Sequence, residues 1–176
     1  MALKPTIYKA KIDLSHVDEN HYDQFNLTIA CHPSETHERM MTRILALCLH
    51  AQDGPEFTRG LCVTDEPDIW VKTLDDRIDL WIDVGEPSPE RIKKAARTAG
   101  NVHVYSFNLK SPPWWKKDRE NFLETGALFF RFNWSEIQAL AQLVERTMDL
   151  SVTISDSTFY VASSKGECEV SLTPLL

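Results

Sequence analysis

The sequence lacks the long apolar run that a membrane-spanning helix requires. Such a helix needs about 20 consecutive apolar residues, and no stretch approaches that length, although 43% of the 176 residues are hydrophobic. No apolar leader follows Met1-Ala2-Leu3-Lys4 either. These two absences predict a soluble, cytoplasmic protein that makes no contact with a membrane.

Cysteine pairs at the spacing of a metal site or a redox centre are also absent. The four cysteines are widely separated: Cys31, Cys48, Cys62 and Cys168. They predict buried free thiols in a reducing compartment. His32 and His37 are five residues apart and do not repeat on one helix face, whereas a structural zinc site needs about four convergent ligands. We therefore expect no zinc site.

Motifs of several enzyme classes are missing as well. There is no G-x-S-x-G, Walker or G-x-G-x-x-G motif, so triad hydrolases, nucleoside triphosphatases and dinucleotide-binding enzymes gain no support. Positive charge is scarce, since the net charge is −7. Any nucleic-acid contact must come from a local basic patch, because the average surface repels phosphate.

The patterns that are present predict a single mixed α/β (α+β) domain over residues 1–176. Proline, acidic residues and apolar spacing favour a helix over Pro33–His50. A helix, three strands, a helix and a strand imply a layered fold with at least one right-handed crossover. The other predicted elements of this core, residues 33–108, are strands Phe57–Val63, Ile69–Thr73 and Ile78–Val84, helix Ser88–Ala99 and strand Val102–Asn108.

Strands at the two termini form a second group. Residues 6–31 and 150–173 alternate in the strand manner, and we expect them to pair in a second, antiparallel sheet beside the core. Between the groups, Asn133 and Glu136 form a plausible capping box for a helix as far as Met148. A short helix over Trp114–Leu123 and a short strand over Ala127–Phe132 precede it.

Two carboxylates near the ends of neighbouring predicted strands suggest a metal-dependent site. Asp68 follows Glu66-Pro67 at the start of one strand, and Asp83 lies near the carboxyl end of the next. Magnesium prefers oxygen ligands and keeps several waters, so this pair could hold it at a phosphodiester. Asp79 lies roughly 13 Å from Asp83 along the strand, too far to share one ion. The alternative is that Asp79 and Asp83 occupy a solvated strand face.

Segments along nearly the whole chain resemble the YaeQ family. They are residues 1–10 (MALKPTIYKA), 32–40 (HPSETHERM), 57–62 (FTRGLC), 65–70 (DEPDIW), 78–85 (IDLWIDVG), 91–95 (RIKKA) and 146–148 (RTM). The resemblance implies a variation of the PD-(D/E)xK restriction-endonuclease-like core with an added terminal antiparallel β-sheet. The order of elements predicted from the residues agrees with that core.

The same resemblance implies a set of acidic site residues. It assigns catalytic roles to Glu38, Asp68 and Asp83, with Asp68 and Asp83 holding Mg²⁺, for which Mn²⁺ could substitute. Gly85 stands where the superfamily motif has a lysine, so this chain lacks the motif cation at that position. An alternative role for Glu38 is interaction with the helix dipole.

A lysine from the following helix replaces the motif lysine in some superfamily members. Lys93 and Lys94 lie there, and neighbours on a helix point about 100° apart. We favour Lys93 as the catalytic lysine, because it lies beside the apolar stripe of its helix, and assign Lys94 and Arg59 to substrate binding. The alternative is that both lysines lie on a solvated helix end.

A further candidate for substrate binding follows two prolines. Trp114, Trp115 and Lys116 combine stacking surfaces with positive charge, as single-stranded nucleic-acid binders do. The alternative is that one tryptophan anchors the segment in the core and the lysines are solvated.

Three functional hypotheses follow. The first is a monomeric, magnesium-dependent nuclease acting on DNA or RNA. The second is a catalytically inactive nuclease-fold module that binds nucleic acid or a protein partner in transcription or repair. The third is an interaction domain that uses the edge of the terminal strands. A lysine or equivalent cation near the acids separates the first hypothesis from the second.

Overall fold

The computed structural model describes residues 4–175, so the first three residues of segment 1–10 lie outside the described part. Within this range the chain forms ten strands and four α-helices. The strands are β1 (Thr6–His16), β2 (His21–Cys31), β3 (Glu56–Phe57), β4 (Ile69–Lys72), β5 (Ile78–Val84), β6 (Asn101–Ser106), β7 (Leu128–Phe132), β8 (Thr147–Ser155), β9 (Thr158–Ser163) and β10 (Gly166–Pro174). The helices are α1 (His37–Leu49), α2 (Pro89–Thr98), α3 (Ser111–Leu123) and α4 (Trp134–Ala141).

The strands belong to one large mixed sheet that is nearly closed into a barrel. Its order is β2-β1-β8-β9-β10-β7-β6-β5-β4-β3. The first part of β10 pairs with β9 and its last residues, Leu172–Pro174, pair with β7. The predicted pairing of the terminal strands with one another is confirmed, but they do not form a separate sheet, because β10 is long enough to join them to the core strands. The pairing of β1 with β8 is parallel.

Helix α1 runs through the interior of this sheet. The Thr36 hydroxyl accepts a hydrogen bond from the Arg39 N–H at 3.2 Å, so the helix begins at His37, four residues later than predicted. Nine consecutive residues, Met40–Cys48, are buried. A helix buried on every face is a core helix. One end of the barrel interior therefore meets the start of α1, and the other meets its end at His50.

Two further predicted elements differ from the structure. The strand predicted over Phe57–Val63 is only the two-residue β3, because Gly60, with a φ of +57°, turns the chain into a 3₁₀ helix. The helix predicted as far as Met148 ends at Ala141. Thr147 begins β8 instead, since it and the residues after it pair with β1. The helices predicted near α2 and α3 and the strand predicted near β7 are confirmed.

Arg43 of α1 bridges the two edges of the sheet. Its Nη2 donates to the Ala30 carbonyl of β2 at 3.1 Å, and its guanidinium lies 5.2 Å from the ring centroid of Phe57 in β3. A buried side chain thus partly covers backbone groups that an edge strand leaves unpaired.

Candidate functional site

A cavity of about 460 Å³ opens at the carboxyl end of β5, beside the start of α1. Residues from α1, β5, α2 and the loop before β4 line it. Asp68 and Asp83 both lie in its wall. The structure therefore brings together the two acids that the sequence predicted as partners.

Asp68 is fixed by the backbone of the neighbouring strand. It is 4% exposed, and its N–H donates to the Ile82 carbonyl at 3.0 Å. Its Oδ2 accepts from the Val84 N–H at 2.8 Å, and its Oδ1 accepts from Arg39 Nη2 at 2.6 Å. Both carboxylate oxygens are thus already hydrogen-bonded.

Arg39 connects Asp68 to a second ion pair inside the barrel. Its Nη1 lies 2.5 Å from Glu35 Oε2, and Arg43 donates to both oxygens of the same carboxylate at 2.6 and 2.8 Å. Burial disfavours the charge of Arg39, but Asp68 and Glu35 outweigh it and raise the pKa of the guanidinium. The arginine is fully charged and held from two sides.

Asp83 forms a two-point ion pair with Arg91 of α2. Arg91 Nε lies 2.7 Å from Oδ2 and Nη2 lies 3.0 Å from Oδ1. Arg91 also donates to the Thr64 carbonyl at 2.6 Å and the Glu66 carbonyl at 2.8 Å. Burial raises the pKa of Asp83, and nearby Asp68 adds to this, while Arg91 opposes it.

The carboxylate oxygens that were predicted to hold magnesium already have other partners. All four oxygens of Asp68 and Asp83 accept hydrogen bonds from arginine or backbone N–H groups. In residues 4–175, no group of three or more His, Cys, Asp or Glu side chains is placed to hold a metal. An ion bound there would compete with both guanidinium groups, each of which has further anchors.

The other predicted catalytic residues lie away from this wall. Glu38 is partly exposed on α1 and is not part of the lining, and Lys93 is exposed on α2. Lys94 forms an exposed ion pair with Asp65. The structure thus does not place a lysine beside the two acids.

The predicted substrate-binding residues are spread over two regions. Arg59, whose side chain is 71% exposed, pairs with Glu66 at 2.7 Å near the cavity. Trp114 donates from Nε1 to the Pro87 carbonyl at 2.8 Å, and Trp115 stacks on Phe122 with ring centroids 5.9 Å apart. Both tryptophans pack against the smaller core cluster of the protein, while Lys116 is exposed.

Three residues of the cavity were missed by sequence reasoning. Arg39 and Arg91 bind the two acids, and Glu86 lies in the wall immediately after Gly85. The Glu35-to-Arg39 spacing of four residues is a signal for a helical ion pair, although Glu35 itself precedes the helix. No local pattern marks Glu86 or the pairing of Arg91 with Asp83.

Glu86 differs from the other acids of the cavity. Its Oε2 accepts from the Phe107 N–H at 3.2 Å, but no Lys, Arg or His nitrogen of the described chain lies within ion-pair distance. Burial raises the pKa of this carboxyl group, although hydrogen bonds from the backbone of Phe107 and Asn108 oppose the shift.

No helix between residues 4 and 175 combines the length and apolar character needed to cross a bilayer. The fold and site define a mixed α/β protein whose nearly closed sheet encloses one helix and carries an arginine–carboxylate cavity at one end.

Comparison with known proteins shows the family. The chain belongs to the YaeQ family, because the family model described as YaeQ protein matches residues 1–172. The chain is 38% identical over 175 residues to "Uncharacterized protein YaeQ" of Escherichia coli (strain K12), covering 98% of this chain and 97% of the relative. The Salmonella typhi relative of the same description is 37% identical over 175 residues, which cover 98% of this chain and 97% of that relative. The resemblance to the YaeQ family is thus confirmed.

Two solved structures are similar throughout. The crystal structure of YaeQ protein from Xanthomonas axonopodis pv. citri is 32% identical and superimposes with a TM-score of 0.92, covering 97% of this chain and 98% of that one. The structure of YaeQ protein from Pseudomonas syringae gives the same identity and TM-score, with coverages of 98% and 96%.

Proposed function

We propose that this protein is a binding module on a PD-(D/E)xK nuclease-like scaffold, without phosphodiester turnover, and that its cavity binds a protein partner. The order of α1, the antiparallel pair β4–β5, α2 and the parallel strand β6 supports the relationship to that scaffold. A nuclease-like core does not itself imply nuclease activity.

One observation carries this proposal: both acids of the cavity are already paired with arginines. In a metal-dependent nuclease the carboxylates hold the ion and a nearby cation stabilises charge on the phosphate. Here Arg39 and Arg91 occupy the carboxylate oxygens themselves. Gly85 supplies no cation at the position where the motif lysine would stand.

Charge and aromatic packing favour a protein partner over nucleic acid. The net charge is −7, and the two arginines of the cavity wall are engaged with acids and carbonyl oxygens. Trp114 and Trp115 pack against core aromatic rings rather than forming a free stacking platform. A phosphate backbone would therefore find few free donors at this site.

The metal test compares wild-type protein with an Asp68→Asn/Asp83→Asn variant. Isothermal titration with MgCl₂ and MnCl₂ should show no binding that depends on the two acids, and DNA and RNA in single- and double-stranded form should stay intact. Circular dichroism checks that the variant is folded. Metal binding that is lost in the variant, together with cleavage by the wild type, would establish the nuclease hypothesis instead.

The partner test uses a photo-crosslinking amino acid at the rim of the cavity. Leu61 lines the cavity and is 44% exposed, whereas Leu74 is fully exposed in the turn between β4 and β5, at the other end of that hairpin. In cells, a protein should crosslink through position 61 and not through position 74. A crosslink to nucleic acid at position 61, or none at all, would contradict the proposal.

A further inference from the structure

The charged groups around the cavity are paired with one exception. The ion pairs are Arg39 with Glu35 and Asp68, Arg43 with Glu35, Arg91 with Asp83, and Arg59 with Glu66. These pairs contain four carboxylates and four guanidinium groups, so their charges cancel. Glu86, which lines the same cavity, adds one negative charge without a partner in the described chain.

The surroundings of Glu86 stabilise its position but do not neutralise its charge. The Phe107 N–H at 3.2 Å is a neutral donor, and Arg39 and Arg131 lower the pKa of Glu86 only from a distance beyond ion-pair contact. A half-buried carboxylate without a counterion is unfavourable, because neutral backbone donors replace the water contacts that it loses only in part. The cavity therefore offers one carboxylate that has no ion-pair partner among the described residues.

A ligand group that matches this site carries one positive charge. An anionic group would need free guanidinium donors in the cavity wall, but those of Arg39 and Arg91 already serve carboxylates and carbonyl oxygens. Arg131, which donates to the Ser111 hydroxyl, does not line the cavity. An ammonium or guanidinium group would instead complete the charge balance through a charge-assisted hydrogen bond. Both groups occur on protein side chains.

We propose that Glu86 is the ligand-contacting residue of the cavity and receives a lysine or arginine side chain of the protein partner. This assignment rests on the proposed function, since it names the group by which such a partner would bind. Asp68 and Asp83, with their arginines, are the rigid wall against which that group is held.

The test uses small probes in place of the unidentified partner. Acetyl-arginine amide and acetyl-lysine amide carry the cation, and acetyl-citrulline amide is the neutral control of nearly the same shape. Titrations into ¹⁵N-labelled protein should give saturable NMR shifts at the Gly85 and Phe107 amides with at least one cationic probe. The citrulline probe should give none.

Two variants test whether binding of the cationic probe depends on the carboxylate of Glu86. Glu86→Gln keeps the shape and hydrogen-bond acceptor but removes the charge, and it should weaken binding of the cationic probe at least about tenfold, as loss of a charge-assisted hydrogen bond implies. Glu90→Gln removes an exposed carboxylate on α2 that does not line the cavity, and it should bind as the wild type does.

The outcomes separate this inference from the proposed function. Absence of cation-dependent shifts, equal shifts with citrulline, or unchanged affinity in Glu86→Gln would overturn the assignment while leaving a crosslink at position 61 in place. Shifts caused by inorganic phosphate at the same amides would also overturn it. Acid-dependent metal binding with cleavage would overturn the proposed function itself.

Discussion

The two ends of helix α1 lie beside cavities of different chemical character. At its start, Arg39 and Arg43 are paired with carboxylates in the barrel interior. At its end, the lining of a cavity of about 360 Å³ includes histidines, a tyrosine and three carboxylates: His16, His50, His103, Tyr105, Asp18, Glu19 and Asp53. His50 Nε2 lies 2.5 Å from the Tyr105 hydroxyl, and the His50 and His103 rings have centroids 5.1 Å apart.

The two ends handle buried polar groups in different ways. Burial, with smaller contributions from nearby His103 and His16, lowers the pKa of His50 to about 3, so the ring is neutral at physiological pH. A helix C-terminus ordinarily favours a protonated histidine, but loss of solvent outweighs that effect here. The interior therefore keeps charge where close ion-pair partners are present, whereas burial removes the charge of His50 by a pKa shift although Asp53 Oδ2 lies 3.9 Å from its Nδ1.

The largest expected effect comes from removing one member of a pair at the charged end. Asp68→Ala should lower the free energy of unfolding by about 3 kcal/mol, because it leaves Arg39 with less compensation and removes the acceptor of the Val84 N–H. Asp68→Asn keeps acceptor and shape, and should lose less, about 1 to 2 kcal/mol. Urea denaturation at pH 7 measures both. Equal losses would mean that the charge of Asp68, which both variants remove, accounts for the whole effect and that the remaining acceptor contributes little.

Acidification should lower the free energy of unfolding through His50, at the end of α1 where the buried ring is neutral. Between pH 6.5 and about 3, the unfolded state binds a proton at His50 that the folded state does not bind. The contribution of this group to the free energy of unfolding therefore falls as pH falls, by up to about 1.4 kcal/mol per pH unit. Urea denaturation at a series of pH values from 7 to 4 measures the slope.

Two variants test whether His50 causes this dependence of the free energy of unfolding on pH. His50→Gln can still form a hydrogen bond with the Tyr105 hydroxyl but cannot take up the proton, so its acid slope should be shallower. His32→Gln, in the loop before α1, should keep the wild-type slope. Parallel curves for wild type and His50→Gln would show that this histidine does not set the acid sensitivity.

Much of the charged end could be predicted from the sequence, because its acids lie at strand ends. The carboxylates Asp68 and Asp83 were expected to come together, and one cavity holds both. Their roles in metal binding stay predictions. The arginine partners could not be foreseen, since Arg39 and Asp68 are 29 residues apart and meet only when α1 enters the barrel.

The predictions of the fold that were wrong also failed because of packing between residues far apart in the sequence. The apolar spacing that predicted a helix continues past Ala141 as far as Met148. In the structure Thr147 and Met148 belong to β8 instead, because they pair with β1. β10 likewise has no local signal for leaving β9 and joining β7. Local patterns determine the type of most elements, but register across the sheet depends on residues far apart in the chain.

The smallest expected effect comes from Glu86, the acid of the cavity without an ion-pair partner in the described chain. Its contribution to the free energy of unfolding changes with pH in the opposite direction to that of His50. Burial raises the pKa of Glu86 above 4.5, so in the window just above 4.5 the folded state binds more protons there than the unfolded state. Its contribution to the free energy of unfolding therefore falls as pH rises. Glu86→Gln should be as stable as the wild type or more so at pH 7, by less than about 1 kcal/mol.

Below pH 4.5 that advantage should disappear, because the carboxyl group is then protonated in both states. Urea denaturation of Glu86→Gln and wild type at pH 7 and pH 4 measures the difference, with Glu90→Gln as the exposed control. A marked loss of stability in Glu86→Gln at pH 7 would show that the carboxylate already has a counterion inside the protein. The charged end of the barrel would then be fully balanced without any ligand.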